Sequence, residues 1–197
     1  MKVVCMGDSL TYGYGVARAA VWTALLSDAW PQMSVINRGI SGDTTGGMMA
    51  RLERDVVEEQ PDFAILMGGS NDIFFGRDLK GAKCGISGMV FQCLANKIKV
   101  GLGVPFPVVQ EGIDDRWKSY AGGEKVQELL KEYRQWLLEF GESFSIEILD
   151  FWKVLSERKE TIGRYYLDGI HLNPLGHRLI GEYLIKRFSV KYSNMLQ

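Results

Sequence analysis

The sequence predicts an α/β fold: a three-layer α/β/α sandwich built on a mostly parallel five-stranded sheet. Three observations carry this reading. Five short apolar runs, near residues 2–6, 33–37, 61–69, 98–108 and 144–150, alternate with longer stretches of helical character. The runs are mostly apolar instead of alternating, as strands buried on both faces must be. Several of them run straight into Gly, Asp, Asn or Pro, the residues that turn a strand into a loop. The chain has 197 residues, enough for one full core, and the expected organisation is a single domain over residues 1–197 with a loop excursion at about 104–123.

Taken in order, "KVVCM" reads as the first buried strand and ends in Gly7-Asp8-Ser9. Residues 17–30 read as a helix with Val21, Ala24, Leu25 and Leu26 inward, stopped by Pro31. "MSVIN" is the second strand. Asp43 or Thr44 can cap the next helix by accepting its free N–H groups, and Met48, Met49, Leu52 and Val56 recur along it at helical spacing. "PDFAILMGG" is the third strand, residues 87–96 a helix, and "IKVGLGVPFPV" a fourth strand entering a proline-marked loop. Residues 104–123 are rich in Gly, Pro and Asp. Val126, Leu129, Leu130, Tyr133, Trp136, Leu137 and Phe140 then trace the clearest apolar stripe of the chain, which faces a core. "FSIEILD" is the fifth strand, and a last helix starts at Pro174, a residue suited to a first helical turn.

Composition narrows the function. Lys and Arg total 23 against 24 Asp and Glu, a net charge of -1, so no field favours nucleic acid or an anionic membrane. No run approaches the roughly 20 apolar residues of a membrane helix. Three cysteines, Cys5, Cys84 and Cys93, without C-x-x-C spacing, argue against a disulfide framework and a zinc site. Reduced cysteines and no visible leader give a cytoplasmic location as the expectation. On one helix, the nine-residue separation of Cys84 and Cys93 would set them on opposite sides.

Open parallel sheets bind ligands at the carboxyl ends of their strands, so the chemistry belongs to "GDSLTYGYG", "RGISGDTT", "GGSNDIFFG", "PFPVVQEG" and "YYLDGIHLN". Ser9 in the first could cap a helix, sit in a phosphate cradle, or act as a nucleophile. A serine attacks only when a base takes its proton, usually a histidine held by a carboxylate. The two histidines are His171 and His177. In "DGIH", Asp168 stands three residues before His171 and can reach its Nδ1, leaving Nε2 free; His177, inside the last helix, reads as structural. Acyl transfer also needs donors for an oxyanion: the N–H groups of Ser9 and Gly42 and the amide of Asn71 lie on loops of that same edge. The first loop is not G-x-G-x-x-G and no Walker-type loop occurs, which weakens the phosphate reading.

Four blocks, "GDSLTYGYG", "NRGISGDTT", "GGSNDI" and "DGIHLN", together resemble the GDSL, or SGNH, hydrolase family over nearly the whole chain. The resemblance implies a flavodoxin-like fold, Ser9 as nucleophile, Asp168 and His171 as its partners, and Ser9, Gly42 and Asn71 as oxyanion donors. It implies an esterase or acylhydrolase cleaving carboxylic esters or thioesters through an acyl-enzyme, without cofactor or metal. Acetyl-sugar deacetylation and a non-catalytic binding module are the alternatives. Asp8 and Asp72 are expected to hold loops by hydrogen bonds. The substrate-binding candidates are Asp8, Ile73, Phe74, Phe75, Pro105, Phe106, Trp117 and Tyr120. The aromatics among them read equally well as a lid over the site or as packing of the excursion. The expected partner is a small ester, with a homodimer through the excursion left open.

Overall fold

The structure is a computed structural model, described over residues 1–193. Its sheet has five strands, β1 (Lys2–Gly7), β2 (Ser34–Gly39), β3 (Phe63–Met67), β4 (Lys99–Val104) and β5 (Glu147–Asp150). They lie in the order β2-β1-β3-β4-β5, and every neighbouring pair is parallel. Gly7 at the end of β1 stands beside Gly39 of β2 and Met67 of β3, so these three strands finish level. All five residues of β3 are buried, and so are all but the first of β1 and β4, which is why their sequences carry no alternation.

The order 2-1-3-4-5 makes the chain leave β1 in one direction and β3 in the other. That reversal opens a crevice beyond the carboxyl ends of β1 and β3, the place where such sheets bind ligands. The helices that follow β1 and β3 start at that crevice: α1 (Ser9–Tyr12) and α2 (Trp22–Asp28) after β1, then α4 (Ser70–Gly76) and α5 (Leu79–Ala95) after β3. Between them, α3 (Thr45–Leu52) continues as a π-helical turn over Glu53–Val57. Then come α6 (Asp115–Ala121), α7 (Glu124–Ser143), α8 (Phe151–Ser156) and α9 (Pro174–Lys191). α2, α8 and α9 pack together as one outer layer, and α3, α5 and α7 as the other.

Several expectations need adjusting. The helix expected over 17–30 is a 3-10 turn at Arg18–Ala20 followed by α2, because Val21 is extended between them. Trp22 and Thr23 are buried there as well as Val21 and Leu26, while Ala24 and Leu25 are only half-buried. The helix expected over 87–96 begins at Leu79, capped by Asp78. Cys84 and Cys93 share it, the first exposed and the second buried. Of the two possible caps for α3 it is Thr44 that accepts from the Gly47 N–H. The excursion at 104–123 contains a 3-10 turn at Gln110–Gly112 and the whole of α6. In α7 the stripe is confirmed at Val126, Leu130, Tyr133, Leu137 and Phe140, with Leu129 and Trp136 half-buried. Among the described residues no helix is long and apolar enough to cross a membrane.

Candidate active site

Ser9 is the first residue of α1, immediately beyond β1. Asp8 caps that helix, its Oδ1 accepting the Leu10 N–H at 2.8 Å. The cap is therefore Asp8, and the Ser9 hydroxyl is free to face the crevice. There Ser9 Oγ lies 3.0 Å from His171 Nε2, and His171 Nδ1 lies 2.8 Å from Asp168 Oδ2. A carboxylate oxygen only accepts, so the ring proton belongs on Nδ1 and the lone pair of Nε2 points at the serine. Ser9, His171 and Asp168 are each under a tenth exposed.

The turn that carries Asp168 and His171 is held by its own backbone. Asp168 Oδ1 accepts the N–H of Ile170 at 3.1 Å and of His171 at 2.8 Å. Burial pushes the Asp168 carboxyl up, but the His171 ring and these N–H groups outweigh it and bring it down to about 2. The group thus stays ionised in neutral solution, where it can stabilise an imidazolium. His177 is elsewhere: it is buried in α9 and accepts the Trp22 N–H at 3.4 Å. Burial, then the charges of Arg18 and His171, bring it down to about 4, so it stays neutral. Burial also pushes the Cys5 and Cys93 thiols well up, which removes both as nucleophiles.

The three expected oxyanion donors, Ser9, Gly42 and Asn71, line one cavity with His171. Gly42 has φ +82, a left-handed conformation that glycine adopts without strain, and a side chain there would point into open space. Asn71 sits in the first turn of α4. Its amide donates one hydrogen to the Asp43 carbonyl at 2.8 Å, which leaves the second for a ligand. Gly69, before it, has φ +102, and a Cβ would stand 2.4 Å from the Tyr133 hydroxyl. That hydroxyl donates to the Gly68 carbonyl at 3.0 Å, so α7 props up the turn that presents Asn71. Asp72 accepts from the Thr45 N–H and hydroxyl and ties α4 to α3. Asp8 and Asp72 hold loops as expected.

The cavity measures about 80 Å³. Phe74, Phe75, Trp117 and Tyr120 line it, joined by Leu10, Tyr14 and Ile170, which the sequence reading missed. Phe75 and Tyr120 meet edge to face at 5.7 Å across its mouth. Three candidates lie outside it. Phe106 is buried against Phe151 at 6.1 Å, and Ile73 and Pro105 are also core residues. The chain stays buried for several residues past the end of β4, so the side chains just beyond that strand feed the core and only α6 returns to the site. A more open groove of about 710 Å³ adjoins the cavity, sharing Asn71 and Phe75 and adding Thr44, Thr45, Asp72 and Asp78. Among the described residues no group of three or more His, Cys, Asp or Glu could hold a metal ion.

Asp8 also lines the cavity. Burial pushes its carboxyl up to about 7, with the Leu10 N–H and the His171 charge opposing and Asp43 and Asp72 adding to the rise. A carboxyl raised in the folded state stabilises the fold fully below its unfolded pKa, and that contribution is lost as pH rises through the folded value. The loss therefore falls between the ordinary carboxylate range and about 7. Asp8→Asn should raise Tm over the parent at about pH 8 and have little effect at about pH 4. Thermal melts at both pH values check this; an equal difference at both would show that Asp8 is not buried as a charge.

The doubly wound parallel sheet thus gathers a serine, a histidine and an aspartate in hydrogen-bond sequence at its carboxyl edge. The chain belongs to the GDSL-like Lipase/Acylhydrolase family, whose sequence pattern matches residues 5–179. Over 71 residues it is 41% identical to the thioesterase 1/protease 1/lysophospholipase L1 of Escherichia coli K12, covering 36% of this chain and 34% of that one. Over 93 residues it is 33% identical to an acetylxylan esterase of Geobacillus stearothermophilus, covering 40% and 42%. These matches span well under half of each relative's length. In three dimensions the chain is similar to a member of the lipolytic G-D-S-L family from Veillonella parvula, with a TM-score of 0.80 and 23% identity over 96% of this chain and 98% of that one.

Proposed function

We propose that the protein is a serine ester hydrolase working through an acyl-enzyme. The observation that carries this is the continuous path from Ser9 Oγ through His171 to the Asp168 carboxylate, at 3.0 and 2.8 Å. His171 Nε2 takes the hydroxyl proton as Oγ attacks the ester carbonyl. The N–H groups of Ser9 and Gly42 and the second Asn71 amide hydrogen receive the oxyanion. His171 then returns the proton to the departing alcohol or thiol, and a water deprotonated by the same nitrogen releases the acid. Asp168 keeps the ring in register and balances its charge.

The two adjoining spaces divide the substrate. The small aromatic-walled cavity suits an acyl group of a few carbons, and the open groove takes the alcohol. Hydrolysis of p-nitrophenyl esters from acetate upward tests this. Turnover should be greatest at acetate to butyrate and fall steeply beyond. A maximum at eight carbons or more would reverse the assignment of the two spaces.

A second reading, deacetylation of sugars, draws on the oxygen-bearing groove wall of Thr44, Thr45, Asp72 and Asp78, which matches a hydroxylated alcohol. The acetylxylan esterase among the relatives supports it. Acetate release from a peracetylated sugar faster than from p-nitrophenyl acetate would favour this reading.

Asn71→Ala should lower kcat by on the order of 10²–10³ with little change in KM, the scale for loss of one oxyanion donor. Steady-state kinetics on the best ester measures it. A loss of ten-fold or less would mean that the two backbone N–H groups bind the oxyanion alone.

A further inference from the structure

The indole of Trp117 reaches into the relay. Its Nε1–H donates to Asp168 Oδ2 at 2.9 Å, the same oxygen that faces His171 Nδ1. An ionised carboxylate has about four acceptor positions. Here all four are used: Ile170 N–H and His171 N–H on Oδ1, His171 Nδ1 and Trp117 Nε1 on Oδ2. Three of those donors come from the turn itself. The fourth comes from α6, 51 residues away, and fixes the face of the carboxylate that the turn leaves open.

The surroundings hold Trp117 in that role. The Asp114 N–H donates to the Asp168 carbonyl at 3.2 Å and the Val109 N–H to the Gly169 carbonyl at 2.8 Å, so the chain before α6 is stitched to the turn. At the other end of α6 the Arg77 guanidinium donates to the Tyr120 carbonyl at 2.8 Å while binding the Ile73 and Phe74 carbonyls of α4. The indole ring also stands edge-on to His171 at 5.8 Å and to Tyr14 at 6.3 Å, and Tyr14 lies against His171 at 4.5 Å.

We propose that Trp117 is a positioning residue of the relay: its indole N–H locks the Asp168 carboxylate, and through it the His171 ring, so that α6 both lines the cavity and steadies the relay. This rests on the ester-hydrolase reading above. Without the indole donor, Oδ2 is open to water and the carboxylate can rotate away from Nδ1. A hydrogen bond to a charged group is stronger than one between neutral groups, and the part expressed in the transition state sets the rate effect.

Trp117→Phe keeps an aromatic ring in the wall, a smaller one, and removes the donor. The expected result is a fall in kcat of roughly ten-fold with KM nearly unchanged, because a hydrogen bond to a charged group is lost while the wall is kept. The factor should be the same on p-nitrophenyl acetate, butyrate and hexanoate. A residue that only walls the cavity would instead change KM, by a factor that varies with chain length, and that result would overturn the proposal. A second measurement does not depend on turnover or on how Trp117→Phe folds. In the unaltered protein, the ¹⁵N–¹H signal of the Trp117 indole should be shifted downfield, exchange slowly with solvent, and move in Asp168→Asn. A fast-exchanging indole that ignores Asp168→Asn would refute the hydrogen bond. If the indole signal behaves as expected while the parent shows no Ser9-dependent turnover on any ester, the hydrolase reading falls first and the positioning role falls with it.

Discussion

Ser9→Ala should lower kcat by on the order of 10⁵–10⁶ and leave the fold in place, the scale for removing the nucleophile of such a relay. Ser41 and Ser70 also line the cavity, but only the Ser9 hydroxyl lies within reach of His171 Nε2. Neither neighbour can take over, since a serine without a base on it hardly attacks. Stability should change by less than about 1 kcal/mol, because the Ser9 hydroxyl makes one neutral hydrogen bond and the helix cap is Asp8. The two halves of the prediction are read separately, kcat on the best p-nitrophenyl ester and Tm by circular dichroism. Unchanged Tm with abolished turnover places the nucleophile at Ser9. Retention of more than about a tenth of the parent rate would move it elsewhere and leave the alignment with His171 without chemical purpose.

The parts of this site that were legible in the sequence are those set by local chain chemistry. In the sequence, Ser9, Gly42, Asn71, Asp168 and His171 stand in short Gly-, Asp- and Asn-containing stretches between apolar runs, and a parallel sheet must bring the ends of its strands to one edge. The strands were legible because burial on both faces makes them apolar throughout. The short helices were not. α1 has four residues, α4 and α6 seven each and α8 six, too few for a helical period to show, and their starts read as turns. The first half of α5, "LKGAKCG", was hidden by its two glycines, poor helix formers that survive on tertiary packing. Phe106 and Trp117 show the limit most plainly. Both are aromatics in the same excursion, yet one turns into the core and the other donates to Asp168. That choice depends on where the chain returns, and no periodicity records it.

Arg51 marks the same limit from the side of stability. No motif singles it out, yet this residue of α3 is nine-tenths buried. Its guanidinium meets Asp43 Oδ2 and Asp55 Oδ2, each at 2.8 Å, and also donates to the carbonyls of Arg38 at 2.9 Å and Gly7 at 3.0 Å. It therefore ties the end of β1, the end of β2 and the Gly42 loop to one helix. Arg51→Met fills similar space but strands Asp43 without its cation, whereas Asp55 keeps Arg54 at 2.7 Å. Breaking a buried ion pair from one side costs about 3–5 kcal/mol, and in a chain of this size that lowers Tm by roughly 10 °C. Activity should fall as well, because the Asp43 carbonyl is the acceptor that orients Asn71. Adding Asp43→Asn to Arg51→Met removes the stranded charge, so the double variant should regain part of the lost stability, and chemical denaturation of all four proteins measures the coupling. A single-variant loss under about 1 kcal/mol would mean that water screens the pair. A large loss with no recovery in the double variant would shift the role of Arg51 from its charge to the two carbonyls it holds.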